Sequence, residues 1–205
     1  MRISSLIALA AMPLLCMCSS KAPAPPPQVI QGQTPDSFRV AFETTKGRFV
    51  VQAYRGWAPR GAERFRDLLE AGFFDNEKFF RVVPGFMAQF GLASEARWNQ
   101  PWDSKPIPDD SVKGTNARGV VSFATMGPNT RTHQLFINLV DNPRLDAMGF
   151  APIGRVIEGM SVVDSLYNGY GEDPNQGFIQ SLGNVYLERS YPKLDGIKTA
   201  RILAP

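Results

Sequence analysis

The chain has 205 residues, of which 43% are hydrophobic and 20% are charged, which is ordinary for one globular core. Its 22 Lys and Arg residues and 19 Asp and Glu residues give a formal net charge of +3, and the basic residues form no block or stripe. Nucleic-acid binding is therefore not supported.

The N-terminus is typical of an export signal. An apolar run from Ile3 to Cys16 follows a basic residue and is too short to span a membrane as a helix. We predict a signal peptide over residues 1–18, a Pro-, Ser- and Ala-rich tether over residues 19–35, and a folded domain over residues 36–205. This organisation predicts export to the bacterial cell envelope, as a periplasmic or lipid-anchored protein.

Cys18 leaves two interpretations open. It is either a small residue at an ordinary signal-peptidase site or the lipidated first residue of a mature lipoprotein, with the tether behind it. Met17 is a poor match for the small residue expected before a lipidated cysteine. Contact with a membrane is expected only through such a lipid anchor.

The start of the domain predicts a β-hairpin followed by a helix. Strands are expected over residues 38–43 and 47–54, joined by a tight turn. A helix is expected over residues 58–71, because Pro59 suits its first turn, an apolar stripe follows, and Gly72 ends it.

Residues 79–91 place one cation and one amide within an apolar, aromatic strand region. Arg81 interrupts the apolar run, and Pro84 with Gly85 breaks the strand. After this break Met87 and Gln89 share one face of the strand. Periodicity alone favours a core strand with a snorkelling arginine over a binding site.

A second segment, residues 120–138, contains two strand-like runs around a turn at residues 127–129. Period-two alternation in the second run puts Gln134 and Phe136 on one face and His133 on the other. An amide and an aromatic side chain therefore project together, and His133 is interpreted as a strand residue that faces away from Gln134.

Residues that bind metals or form disulfides are scarce. His133 is the only histidine, and the only cysteines, Cys16 and Cys18, lie in or beside the signal. We therefore predict no metal, no other cofactor and no disulfide in the domain. A hydrolase is also disfavoured, because the lone histidine has no recognisable nucleophile motif.

Both segments contain long, specific strings. They read Arg-Val-Val-Pro-Gly-Phe-Met-Ala-Gln at residues 81–89, Gly-Pro-Asn-Thr at residues 127–130 and Gln-Leu-Phe-Ile at residues 134–137. In this order and spacing they closely resemble the signature of the cyclophilins, which are peptidyl-prolyl cis-trans isomerases. The resemblance runs from about Phe38 to the C-terminus and includes a glycine-bearing segment at residues 153–160.

The resemblance implies a mainly β fold: a closed eight-stranded antiparallel barrel capped by two α-helices. The residue pattern by itself indicates only many short strands with two helices. The second helix is expected over residues 161–167, and a strand over residues 197–203 should complete the sheet.

The resemblance also implies an activity, the acceleration of rotation about X-Pro peptide bonds, here in exported proteins whose folding it would assist. Proline-containing polypeptides are then the partners, and a monomer is expected. The alternative is a non-catalytic prolyl-peptide-binding module, or a chaperone, that uses the same groove. Retention of both Arg81 and Gln89 favours the enzyme, because a degenerate module would more readily lose the arginine.

The resemblance assigns roles to individual residues. Arg81 matches the catalytic arginine, and Gln89 matches the glutamine that holds substrate backbone and braces the arginine. Matches to the apolar pocket for the proline ring are Phe86, Met87, Phe136 and Leu145. Further substrate-binding positions are Ala124, Thr125 and Gln134 in the adjoining groove, and Phe150, near where many members carry a pocket histidine.

Three departures from the family stand out. Thr125 replaces a more usual asparagine, and Arg144 replaces the tryptophan of cyclosporin-sensitive members, so weak cyclosporin binding is expected. Residues 92–114 differ in sequence from the corresponding region of compact family members. They are interpreted either as a loop beside the groove that alters substrate entry or as a surface loop anchored by its tryptophans.

Overall fold

The computed structural model describes residues 34–204, so the predicted signal peptide, Cys18 and nearly all of the tether lie outside the described residues. The strands are β1 Ser37–Thr44, β2 Gly47–Tyr54, β3 Arg81–Val83, β4 Met87–Phe90, β5 Val120–Phe123, β6 Leu135–Asn138, β7 Pro152–Glu158 and β8 Ile197–Ile202. The α-helices are α1 Pro59–Glu70, α2 Gln100–Asp103, α3 Arg144–Ala147, α4 Met160–Asp164, α5 Gln176–Leu182 and α6 Asn184–Ser190. A 3₁₀ turn, Ala96–Trp98, precedes α2.

The eight strands form one curled antiparallel sheet in the order β3-β4-β6-β5-β7-β2-β1-β8, which confirms the predicted eight-stranded fold. Its two edges meet beside β3 and β8, where an isolated bridge joins Lys78 to Gly196. Backbone hydrogen bonds on either side extend this contact, from Phe79 N to Asp195 O at 3.0 Å and from Ile197 N to Glu77 O at 2.8 Å. The barrel is therefore closed by a short bridge and not by a full strand pair.

The predicted N-terminal hairpin and first helix are confirmed. β1 and β2 pair along their whole length, and α1 begins at Pro59, where the missing N–H costs no helical hydrogen bond. Asp110, from the long loop, accepts hydrogen bonds from Arg60 N at 3.1 Å and Gly61 N at 2.9 Å. The loop thus caps a helix that lacks a cap of its own.

The prediction of only two helices is wrong, because α5 and α6 form an additional helical hairpin near the C-terminus. Its inner side packs in a small second apolar cluster, which consists of Phe80, Leu92, Ile179, Leu187 and Leu194. On its outer side Phe178, Leu182 and Val185 are exposed. Since apolar residues lie on both sides, the sequence shows no one-sided stripe by which the helices could be recognised. The second predicted helix is the shorter α4.

Buried phenylalanines fill the inside of the curled sheet. Phe42 lies among four others, with its ring centroid 4.8 Å from Phe49, 5.8 Å from Phe90, 6.2 Å from Phe74 and 6.4 Å from Phe65. Phe65 belongs to α1, so the helix and the sheet share one core. This core supports the strands whose other residues build the cleft described below.

Glu77 is a fully buried carboxyl group beside the end of β4. Its Oε2 accepts a hydrogen bond from Gly91 N at 2.9 Å, while Oε1 has no hydrogen-bond partner within residues 34–204. Burial raises the pKa of Glu77 well above its usual value, against a smaller lowering by the Gly91 hydrogen bond. The folded protein therefore keeps this carboxyl protonated at a pH at which the unfolded chain has lost the proton.

Glu77→Gln is expected to change how stability depends on pH. Above about pH 4, the usual range for glutamate, the folded wild type binds one more proton than the unfolded chain, so its stability falls as pH rises. Glutamine does not titrate and removes this fall. Urea unfolding at pH 4 and pH 8 should show that the wild type loses stability relative to the variant at the higher pH. The same exchange at exposed Glu188 controls for the lost charge, and parallel curves for wild type and Glu77→Gln would contradict the assignment.

Candidate active site

A cleft of about 790 Å³ opens between strands β3, β4 and β6, the turn after β5, and helices α2, α3 and α5. Every residue of the domain for which the resemblance implied a role lines this cleft. They are Arg81, Phe86, Met87, Gln89, Ala124, Thr125, Gln134, Phe136, Leu145 and Phe150. The structure therefore brings together residues that lie up to 69 positions apart in the sequence, as counted from Arg81 to Phe150.

Strand register explains why the polar and apolar groups lie side by side. Arg81 on β3 is paired with Gln89 on β4, and Gln89 is paired with Phe136 on β6. Directly opposed residues of antiparallel neighbours project from the same face of a sheet. A row of arginine, glutamine and phenylalanine therefore crosses three strands. Gln134 and Phe136, which were predicted to share a face, both line the cleft.

An apolar pocket lies at one end of the cleft. Met87, Phe136 and Leu145 are buried together in a cluster separate from the main core. Phe150 forms one wall, with its ring centroid 5.7 Å from that of Phe136 in an edge-to-face arrangement. Such a pocket holds a small apolar ring and excludes water from it.

Helix α3 supplies Leu145 and is fixed by its own carboxylate. Asp146 Oδ2 accepts a hydrogen bond from Thr115 Oγ1 at 2.6 Å. Its Oδ1 accepts from the backbone and side-chain nitrogens of Asn116 at 2.8 and 2.7 Å. Three bonds from one short segment thus set where the pocket floor lies.

The Arg81 guanidinium is held by two different residues. Nη1 donates to Gln89 Oε1 at 3.1 Å, Nε donates to Glu172 Oε1 at 2.8 Å, and Nη2 also donates to Glu172. Gln89 Nε2 in turn donates to Gln134 Oε1 at 2.8 Å. These bonds use three of the five N–H groups of an arginine and leave one on each terminal nitrogen. The donor that faces the cleft is therefore already oriented.

Glu172 is a site residue that the sequence interpretation missed. It lies in the segment between α4 and α5, 91 positions after Arg81. The side chain of Arg81 is 28% exposed and that of Glu172 is 62% exposed, so the pair lies at the mouth of the cleft. No periodicity or motif marks this glutamate, because its partner is set by the tertiary fold alone.

Thr125 lines the cleft, but its hydroxyl is occupied by the turn that follows. Oγ1 donates to Gly127 O and accepts from Gly127 N at 3.1 Å. It also lies 2.8 Å from Thr130 Oγ1, which accepts a hydrogen bond from Met126 N. This residue therefore shapes the groove through the turn at residues 127–129, which forms as predicted.

Residues 92–114 contribute to one wall of the cleft and are anchored at several points, while an effect of this loop on substrate entry stays a prediction. Trp102 is buried, with its ring 6.0 Å from that of Phe73. Asn99 Nδ2 donates to Gln180 O at 3.2 Å, and the side chain of Gln180 donates to Asp103. Asp103 and Gln180 both line the cleft, so the loop and α5 build this wall together.

His133 ties the same wall to the sheet and is not simply a strand residue that faces away from Gln134. It lies just before β6 and is fully buried. Its Nδ1 is 2.6 Å from Gly91 O, to which it can only donate, and its Nε2 is 2.7 Å from Asp103 Oδ1. The histidine thus positions Asp103, which lines the cleft.

Two negative findings apply to the part of the chain that the structure covers, residues 34–204. No three His, Cys, Asp or Glu side chains are grouped so that they could hold a metal ion. No helix is both long enough and apolar enough to cross a membrane.

Comparison with known proteins identifies the family. The model of the cyclophilin type peptidyl-prolyl cis-trans isomerase family matches residues 39–182. The peptidyl-prolyl cis-trans isomerase of Acinetobacter baylyi is 35% identical over 135 residues, which cover 63% of this chain and 71% of that protein. Peptidyl-prolyl cis-trans isomerase B of Escherichia coli is 35% identical over 136 residues, which cover 62% of this chain and 82% of that protein.

Solved structures agree on the fold. A cyclophilin type peptidyl-prolyl cis-trans isomerase of Cryptosporidium parvum superposes with a TM-score of 0.59 at 20% identity, covering 82% of this chain and 99% of that one. A structure of the same protein in the presence of the dipeptide Ala-Pro gives a TM-score of 0.58. With the family model spanning most of the domain, the chain belongs to the cyclophilin-type peptidyl-prolyl cis-trans isomerases.

Proposed function

We propose that this isomerase accelerates rotation about X-Pro bonds in exported proteins, with Arg81 as the donor that acts on the reacting amide. The observation that carries the proposal is the row of Arg81, Gln89 and Phe136 beside a buried apolar pocket. The related Cryptosporidium parvum structure in the presence of Ala-Pro supports a proline-containing ligand for this groove.

The reaction requires rotation without any covalent step. Twisting an amide removes its resonance, over a barrier of about 18–20 kcal/mol, and the nitrogen regains a lone pair as it twists. A hydrogen-bond donor aimed at that nitrogen stabilises the twisted state more than the planar one, which is the requirement for catalysis. The free N–H groups of Arg81 supply such donors.

Other cleft residues hold the substrate while the bond turns. The proline ring packs in the apolar pocket of Met87, Phe136 and Leu145, so that one side of the rotating bond is fixed. Gln89 braces Arg81 and, with Gln134, offers amide groups to the substrate backbone. Two-dimensional NMR exchange on a short Ala-Pro peptide tests the activity, and saturable binding without faster exchange would leave only a binding module.

The N-terminal segment supports the proposal that the substrates lie outside the cytoplasm. Residues 1–18 have the charge and apolar run of a signal peptide, and residues 19–35 form a Pro-rich spacer that would keep the domain away from an anchor. The enzyme then meets newly exported chains, whose prolyl bonds isomerise in tens to hundreds of seconds without help. We further propose a monomer with weak cyclosporin binding, since Arg144 stands where sensitive relatives carry tryptophan.

The mature N-terminus is expected to lack the signal. Intact-mass and peptide mass spectrometry of the protein isolated from cell envelopes should show either a diacylated Cys18 or a free terminus produced by cleavage near residue 18. Cys18→Ser would remove lipid from the first form and leave the second unchanged. A chain that retains residues 1–18 and fractionates mainly with the cytoplasm would contradict export.

A further inference from the structure

Arg144 is an exposed cation at the rim of the proline pocket. It begins helix α3 and directly precedes Leu145, whose side chain packs with Met87 and Phe136 in the pocket. The Arg144 Cζ lies 5.1 Å from the centroid of the Phe86 ring, and Phe86 itself lines the cleft. Stacking on this ring holds the charge close to where a proline-containing chain enters and leaves.

The charge of Arg144 is not balanced by a neighbour. Its side chain forms no ion pair or hydrogen bond with any group of residues 34–204. The nearest carboxylate in sequence, Asp146, is bound to Thr115 and Asn116 instead. Arg81, by contrast, is paired with Glu172. Of the two arginines that flank Phe86, only Arg144 therefore has no carboxylate partner within residues 34–204.

We propose that Arg144 gives this enzyme a preference for substrates with Asp or Glu directly beside the proline. A proline ring seated on Leu145 brings the adjacent substrate residue to the rim that Arg144 occupies, within reach of a flexible arginine side chain. The inference rests on the proposed function of the same groove. It concerns which peptides are turned over efficiently and leaves the donor role of Arg81 unchanged.

The expected size of the preference for acidic peptides follows from the solvent exposure of Arg144. Ion pairs between solvent-exposed groups are weak, so we expect the wild type to favour an acidic peptide over its neutral isostere by about 3-fold in kcat/KM. Because such pairs are screened by salt, the preference should shrink strongly between about 20 mM and 500 mM NaCl. A lysine at the same position should be disfavoured by a similar factor.

The test compares selectivity ratios and not absolute rates. Peptides that carry Asp, Asn or Lys directly before the proline (X-Pro-Ala) or directly after it (Ala-Pro-X) are assayed by NMR exchange with the wild type, Arg144→Gln and Arg144→Glu. We expect the Asp/Asn ratio to fall to about 1 in Arg144→Gln and the charge preference to invert in Arg144→Glu. Arg155→Gln removes one exposed arginine from β7, outside the cleft, and should keep the wild-type ratio.

The outcomes separate the inference from the function on which it rests. Absence of exchange with every peptide would refute the isomerase function itself. Rapid exchange with equal kcat/KM for the Asp and Asn peptides on both flanks would overturn the role of Arg144 alone. A preference for Asp that survives in Arg144→Gln, or that is lost equally in Arg155→Gln, would overturn it as well.

Discussion

Arg81→Ala is expected to slow catalysed cis-trans exchange of an Ala-Pro peptide by about 10²- to 10³-fold, the range found when one transition-state hydrogen-bond donor is removed. The guanidinium is fixed by Gln89 and Glu172, and its remaining N–H groups face the cleft. Alanine removes these donors but leaves the pocket for the ring intact. Peptide affinity should therefore change much less than the exchange rate, and NMR titration beside NMR exchange measures both.

The loss should not come from unfolding. Arg81 and Glu172 are both partly exposed, at 28% and 62%, and exposed ion pairs contribute about 1 kcal/mol or less to stability. Arg201→Ala is the matched control, since Arg201 forms a similar exposed pair with Asp75, at 2.7 and 2.6 Å, away from the cleft. It should retain the wild-type exchange rate.

Arg81→Lys separates charge from geometry. Lysine keeps the positive charge but lacks the rigid planar fork that binds Glu172 with one edge while it presents N–H groups with another. We expect it to recover little of the lost rate. If Arg81→Ala retains the wild-type rate within about 3-fold, the donor must lie elsewhere in the cleft.

Strand alternation predicted one part of the cleft, and the resemblance to the cyclophilins supplied the other lining residues. Alternation fixes which side chains share a face, so Gln134 and Phe136 could be placed together without knowledge of the fold. The motif strings then identified the family and with it the strand number. The N-terminal hairpin could also be predicted from the sequence, since a short turn determines how β1 and β2 pair.

Contacts between distant segments could not be predicted in this way. Gln180 on α5 binds Asp103 in the loop at residues 92–114, and Glu172, in the segment between α4 and α5, binds Arg81 on β3. Nothing local in the sequence encodes these pairings. His133 shows the same limit, because its hydrogen-bond partner Asp103 lies 30 positions away in the sequence.

Phe42→Ala is expected to destabilise the domain by about 4 kcal/mol, within the usual range for a buried phenylalanine. Phe42 is fully buried, stacks on Phe49 at 4.8 Å with an interplanar angle of 2°, and meets Phe90 edge to face at 5.8 Å. Alanine would leave a cavity where sheet and helix side chains meet, and the surrounding rings can fill it only in part. For a domain of this size the melting temperature should fall by about 8–16 °C.

Phe178→Ala makes the same chemical change on the exposed side of α5 and is the control. Phe178 is 54% exposed and has one ring neighbour, Tyr186, at 5.4 Å, so its loss should cost less than about 1 kcal/mol. Urea unfolding of both variants gives the comparison. Equal destabilisation by the two substitutions would mean that the aromatic cluster around Phe42 is not the centre of the core. A large loss confined to Phe42→Ala would show that this cluster, to which Phe90 of β4 belongs, is central to the stability of the domain.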